Sequence, residues 1–193
     1  MPPTGVSLND PREALFAAAE RVLVRDGGVA LTSRAVTEEG GVAKGVLHKY
    51  FSDFDTFLAE LIISRTAYVA TIADELARTA GRNEVEENLA AAMSRLFETP
   101  AIQYIKIAIA RDEVRKHLVA LGQERLPILL QAVAAVSSYI GAEQRAGRIR
   151  RDANPAAVAP MLVGALHLLA TDEPTAATDY ARVRELVVEA IRR

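Results

Sequence analysis

Residues 31–57, LTSRAVTEEGGVAKGVLHKYFSDFDTF, constrain this chain more than any other stretch. They read as two short helices joined by a tight turn, followed by the start of a third. The turn is Gly40-Gly41-Val42, where glycine supplies the left-handed backbone that a sharp reversal needs. Before it, Ser33–Glu39 turns Ala35 and Val36 inward and Arg34, Glu38 and Glu39 outward. After it, Val42, Val46, Leu47, Tyr50 and Phe51 recur at helical spacing, and Lys44, His48 and Lys49 take the opposite face. Two helices with a glycine elbow, the second short and cationic, form the pattern of a helix-turn-helix. Spacing alone equally admits an ordinary helical hairpin inside a larger bundle.

The run Gly41-Val42-Ala43-Lys44-Gly45-Val46-Leu47-His48-Lys49-Tyr50-Phe51 resembles the Gly-Val-Ser-Lys-Gly-Thr-Leu-Tyr-x-His/Tyr-Phe core of the TetR (tetracycline-repressor-like) family of one-component regulators. The similarity extends from about Arg12 to Leu61; beyond that, only length and helical character match. The resemblance implies an all-α protein with an N-terminal three-helix helix-turn-helix domain, residues 1–55, and a C-terminal helical ligand-binding and dimerisation domain, residues 56–193. It implies a homodimeric transcriptional regulator, most often a repressor, that leaves a palindromic operator when a small molecule binds. This sequence departs from the pattern at several positions. Ala43 replaces the usual Ser or Thr that would cap the second helix and touch a phosphate, Val46 a usual Thr, His48 a usual Tyr and Phe54 a usual Lys. Thr37 and Gly40 replace small alanines that pack the elbow. Fewer phosphate contacts imply weaker sequence-independent affinity and a shallower salt slope.

Charge sharpens that expectation. The net charge is −2, and residues 1–60 hold six cations (Arg12, Arg21, Arg25, Arg34, Lys44, Lys49) against nine anions. Such a balance argues against coating DNA non-specifically, while leaving groove insertion open to Arg34, Lys44 and Lys49 on one side. There is no cysteine, so neither disulfides nor thiolate metal sites are available, which fits a cytoplasmic protein. No apolar run approaches the ~20 residues that a membrane span needs. The opening MPPTGVSLND lacks the features of a signal peptide and reads as a short disordered arm.

About nine helices are expected. Asp10, Pro11 and Glu13 start the first, with Gly27-Gly28 ending it. Asp53 starts a long helix over residues 54–79, stopped by Gly81, which reads as a lever between two domains. Asn83, with Glu86 in a capping box, starts the next, 84–98; Thr99-Pro100 restart the chain for 101–110. Whether 112–121 continues that helix or stands alone is open. Helices over 123–146, 156–170 and 179–192 complete the chain, separated by the basic loop Gly147-Arg148-Ile149-Arg150-Arg151 and the loop 171–178.

Three candidate sites follow. At the elbow, Lys44 and Lys49, with Gly45 between them in the matched run, would face the major groove or its rim, where lysine donates to guanine O6 and N7. Arg34 is placed for a phosphate, His48 for either, and Tyr50 divides between core and phosphate. In the larger part, Met93, Phe97, Tyr104, Tyr139 and Met161 would line an effector pocket, with Arg111 and His117 as polar anchors; an apolar or amphipathic ligand is expected, anionic if those anchors point inward. The helix over 156–170 is apolar nearly all round, so Leu162, Ala165, Leu168 and Leu169, with Val183, Leu186, Val187 and Ala190 of the last helix, are expected at a dimer seam. The resemblance makes that seam a four-helix bundle. No nucleophile elbow, phosphate loop or His-rich metal spacing points to an enzyme, a cofactor or a metal. Rival readings are a family-like protein that has lost DNA binding and, more remotely, a helical enzyme.

Overall fold

Asp10 opens α1 (Pro11–Asp26): its carboxylate accepts from the backbone N–H of Arg12 and Glu13, and Pro11 occupies the first turn, where no intrahelical donor is required. This computed structural model describes residues 10–97, 101–172 and 179–191; the N-terminal arm, the Thr99-Pro100 restart, most of the 171–178 loop and the last two residues lie outside the described residues. Gly27, at φ +77, ends α1 and leads into a 3₁₀ turn, Gly28–Ala30. Thr32 caps α2 (Ser33–Glu39), and the elbow delivers α3 (Val46–Tyr50). Asp53 caps α4 (Phe54–Arg78) by accepting from Thr56 N–H at 2.7 Å. Then come α5 (Val85–Leu96), α6 (Ala101–Ala110), α7 (Asp112–Ala120), α8 (Pro127–Arg145), α9 (Pro155–Asp172) and α10 (Tyr180–Ile191). Every regular element among the described residues is helical, as expected.

One point left open is decided and two local expectations are corrected. Residues 112–120 form their own helix because Arg111 is extended (φ −121, ψ 106), which adds one helix to the expected count. The next helix starts at Pro127 rather than near Gln123, since a proline drives its predecessor, Leu126, out of helical backbone. Asn83 does not cap α5: it sits at φ +49, Glu84 takes the cap position without a side-chain bond, and α5 relies on the acidic first turn of Glu86 and Glu87.

The small N-terminal unit is packed around phenylalanine. The rings of Phe16, Phe51 and Phe57 lie 5.0–5.7 Å apart pairwise, and Phe54 stacks on Phe57 at 5.6 Å. These separations suit tilted and offset aromatic pairs. α4 continues from this cluster into the larger body, where it packs against α5, α7 and α8; α9 covers α8, and α10 lies on α5 and α9. At the far end the fully buried Glu143 accepts from Gly81 N–H at 3.1 Å and faces Arg148 at 3.5 Å. Beside it, Asn88 donates to Tyr139 and to the Arg82 carbonyl, each at 2.8 Å, so the α4–α5 turn is fastened to α8 by partnered polar groups.

One helix, α4, is by length and composition long and apolar enough to cross a bilayer, contrary to the sequence expectation. Here its apolar face, from Phe57 through Leu61, Ile62, Val69 and Ile72 to Leu76, is in the core, and its Arg65 is ion-paired to α1.

Candidate nucleic-acid interface and clefts

α3 is short enough that its angle depends on what holds it. Leu47 is fully buried; Val46 and Tyr50 pack against the core from α3, and Val42 from the elbow. Arg12 donates to the Tyr50 carbonyl at 3.0 Å, lies 4.3 Å from the centre of the Phe51 ring and pairs with Glu60 of α4. The left-handed residue of the elbow is Gly41, at φ +62. Gly40 has right-handed backbone; it is needed for close approach, since a Cβ there would meet the Val36 carbonyl at 3.2 Å and the Ala18 methyl at 3.6 Å. Thr37, larger than alanine, is accommodated because its hydroxyl donates back to the Ser33 and Arg34 carbonyls.

This packing leaves Lys44, Gly45, His48 and Lys49 exposed together, with Tyr50 half-buried beside them. Neither lysine has an ion pair among the described residues; Lys49 Nζ lies 5.6 Å from the Tyr50 ring centre. α3 has no side-chain cap: Gly45, which has no side chain, takes the cap position, and Ala43, expected there from the sequence, lies in the turn before it. Arg34 is exposed but bonded to Glu38 at 2.7 Å, so a phosphate contact would first have to break that pair. Arg21 and Arg25 both bind Glu39 at 2.7 Å, which holds the Glu39 carboxyl below its ordinary pKa through the Arg21 and then the Arg25 hydrogen bonds. The unpaired cations of the small unit are thus on the α3 side.

The expected effector pocket is not brought together. Met93, Phe97, Tyr104 and Tyr139 are buried, but Arg111 turns away to Asp55 at 2.6 Å and His117 to Asp53 at 3.8 Å, both beside the start of α4. Met161 is 71% exposed on the outside of α9. α9 is apolar all round, so the pattern did not say which side faces in; packing against α8 and α10 decides it. Tyr104 does line a cleft of about 450 Å³, but in different company: Glu13, Ala17 and Glu20 of α1, Arg65, Tyr68 and Val69 of α4, Arg95, Ala101 and Ile128. Tyr139 lines a second cleft of about 520 Å³ between α4 and α8, walled mainly by alanines.

In the first cleft Arg65 holds Glu20 through two bonds of 2.7 and 3.1 Å and Glu13 through one of 2.9 Å, while the Tyr104 hydroxyl donates to Glu20 at 2.5 Å. Burial and then the Glu20 bond push the Tyr104 phenol far above its ordinary pKa, so it remains a donor. Burial works against the Arg65 charge, but its two carboxylate partners outweigh it and raise its pKa. The sequence carries a signal for this cluster. Arg65 falls on the core stripe of α4 between Leu61 and Val69, and Glu20 lies one turn after Phe16; charges at such positions need partners.

The seam residues divide. Leu162, Val183 and Val187 are covered within their own chain, because α10 packs on α5 and α9. Their expected place at a seam is corrected to the monomer core. Leu168 is 69% exposed, and Ala165, Leu169, Leu186 and Ala190 are half-buried. Pro160, Met161, Gly164 and Leu168 form an exposed apolar stripe along α9.

No protein-family model matches the chain, and no curated protein sequence does. Solved structures do. Escherichia coli NemR in its reduced form superposes with a TM-score of 0.70 over 94% of this chain and 95% of that one, at 16% identity. A protein assigned as a TetR-family transcriptional regulator in Mesorhizobium loti gives 0.65 over 93% and 92%, at 17% identity.

The chain has the TetR-family fold.

SmeT, the repressor of a Stenotrophomonas maltophilia multidrug efflux pump, shares it at 0.59 over 95% and 91%, with 21% identity. In this TetR-like frame, α2 and α3 are the helix-turn-helix, and the clefts lie in and against the body behind it.

Proposed function

We propose that this protein is a cytoplasmic, homodimeric DNA-binding transcriptional regulator, acting as a repressor that a small-molecule effector releases from a palindromic operator. The observation that carries this reading is a five-residue helix fixed by a buried leucine and an arginine strap, which presents His48 and Lys49 to solvent beside the exposed Lys44 of the turn before it. Residues 1–55 form the DNA-reading unit and 56–193 the regulatory body, joined through α4. The exposed α9 stripe supports pairing with a second copy, which sets two α3 helices on one face of a duplex about 34 Å apart. The effector acts by population shift: a ligand that prefers one spacing of the two reading units moves the dimer away from the spacing that fits DNA. Solved neighbours include a multidrug-binding protein with imidazole bound and a repressor, SmeT, with triclosan bound, which supports a ligand-responsive body. Selection of bound sequences from a random DNA pool tests the reading, with a palindromic consensus as the expected result.

A second reading, a ligand-responsive protein with little DNA affinity, is favoured by the Arg34–Glu38 pair and the acidic small unit. Failure to shift any duplex at low salt decides for it.

A further inference from the structure

We propose that the cleft between α1 and the regulatory body takes an organic cation with an apolar body, its charge between Glu13 and the ring of Tyr68. The proposal rests on the regulator reading only for its consequence, since binding itself is independent of DNA.

The walls set the class of ligand. Ala17, Val69, Ala101 and Ile128 offer apolar surface within about 450 Å³, and Tyr68 is 45% exposed. The charges set its sign. Arg95 is matched by Glu75 just outside the lining, whereas Arg65 alone serves both Glu13 and Glu20. The lining itself is balanced, two carboxylates against two guanidiniums, and Glu75 beside it brings the count to one carboxylate in excess. That excess is at Glu13, whose half-exposed carboxylate accepts one hydrogen bond among the described residues, while an ionised carboxylate can accept about four. An incoming cation meets these open lone pairs and the Tyr68 ring, both of which attract it, and shares that ring with the Arg95 guanidinium, 6.0 Å from its centre. An incoming anion would have to displace Glu20 from three bonds at Arg65 and Tyr104 and then sit beside two carboxylates, or compete with Glu75 for Arg95. The groups that would have favoured an anion, Arg111 and His117, are turned away to Asp55 and Asp53. The neighbouring α4–α8 cleft has one carboxylate, Asp74, and one guanidinium, Arg145, and selects neither sign.

The consequence follows from the wall itself. Glu13 belongs to α1, so a ligand that recruits it touches the DNA-reading unit directly and competes with the bond that fastens α1 to Arg65 of α4. Release of DNA then needs no relay through the length of α4.

Tetraphenylphosphonium and tetraphenylborate, a cation and an anion of nearly the same shape, form the test. Calorimetry on the full chain is expected to show the phosphonium binding at least tenfold tighter than the borate. Glu13→Gln weakens the phosphonium about fivefold, as does Tyr68→Ala, the scale of one part-exposed charge pair or cation–π contact. Asp74→Asn, in the other cleft, leaves it unchanged. Borate binding equally well, or phosphonium binding indifferent to both Glu13→Gln and Tyr68→Ala in variants that melt like the parent, overturns the proposal; so does binding that follows Asp74. Adding phosphonium to the complex with selected DNA separates the two readings. Site-dependent binding without DNA release defeats the proposed coupling, and absence of any DNA complex defeats the regulator reading; in either case the calorimetry alone decides the cleft.

Discussion

The small unit and the body of this molecule are packed by different rules. Four of the five phenylalanines sit at the head, with ring centres 5.0–5.7 Å apart. The body instead faces α4 and α8 together through Ala70, Ala73, Ala77, Ala134, Ala135 and Ala142, and there a cleft of about 520 Å³ opens. Aromatic rings fill volume with few rotatable bonds, so the head is a filled, stiff object. Alanine on facing helices leaves room. Accurate placement of a five-residue helix asks for filled packing, and the head supplies it; the alanine-lined faces of α4 and α8 leave open space instead.

The largest test of that contrast removes a ring. Phe57→Ala is expected to cost about 3–5 kcal/mol in chemical denaturation, because three other rings lose a partner. Ala73→Val, in the alanine cleft, is expected to change stability by under about 1 kcal/mol, since open space receives the added methyls. Equal losses at the two sites would erase the distinction. Next comes the outer face of α9: Leu168→Glu puts a charge on the exposed stripe and is expected to convert a dimer into a folded monomer in sedimentation. An unchanged mass would place the pairing surface elsewhere. At the head, Lys44→Ala and Lys49→Ala should each lower the slope of log affinity against log salt by about one unit if they meet phosphates, and alter sequence preference if they meet bases. A slope unaltered by the double substitution would leave α3 with no part in binding.

Smaller effects concern caps and protons. Asp53→Ala is expected to cost about 1 kcal/mol through loss of the bond to Thr56 N–H. That bond is the main reason why the Asp53 carboxyl titrates below its ordinary value. Its folded pKa is depressed, so its contribution is complete above the unfolded value of about 3.9 and fades as pH falls through the folded one. The smallest effect belongs to the body. Burial, and then Lys106, lower the pKa of His167, whose Nδ1 is buried without a partner among the described residues. The unfolded chain takes up this proton first on acidification, so stability should fall as pH drops below about 6.5 and level off beneath the lowered folded value. His167→Gln should flatten that stretch of the pH–stability curve; an identical curve would show that the imidazole does not report the packing of α9.

Much of the head was legible in the sequence because its signals are local. Asp10, Pro11, Gly27, Gly41 and Asp53 each act on backbone within a few residues of themselves, and each does what its spacing implied. The body was less legible. Arg111 and His117 looked like pocket anchors, and they became partners of Asp55 and Asp53, more than fifty residues earlier in the chain. Met161 and Leu162 are neighbours in sequence on a helix with no polar side. Periodicity could not say that Leu162 goes inward and Met161 outward until α8 and α10 had closed on one face.

What the residues alone determined is the set of helices apart from α7, the turn that joins α2 to α3, and the cationic side of α3, since these follow from caps, glycine backbone and a 3.6-residue period. What only the tertiary structure decided is which distant charges share a partner. Arg65 between Glu13 and Glu20, and with it the cleft against α1, exists because α1, α4 and α6 converge there. A charge on an apolar stripe announces that it needs a partner, but the identity of that partner depends on long-range packing, to which local spacing is blind.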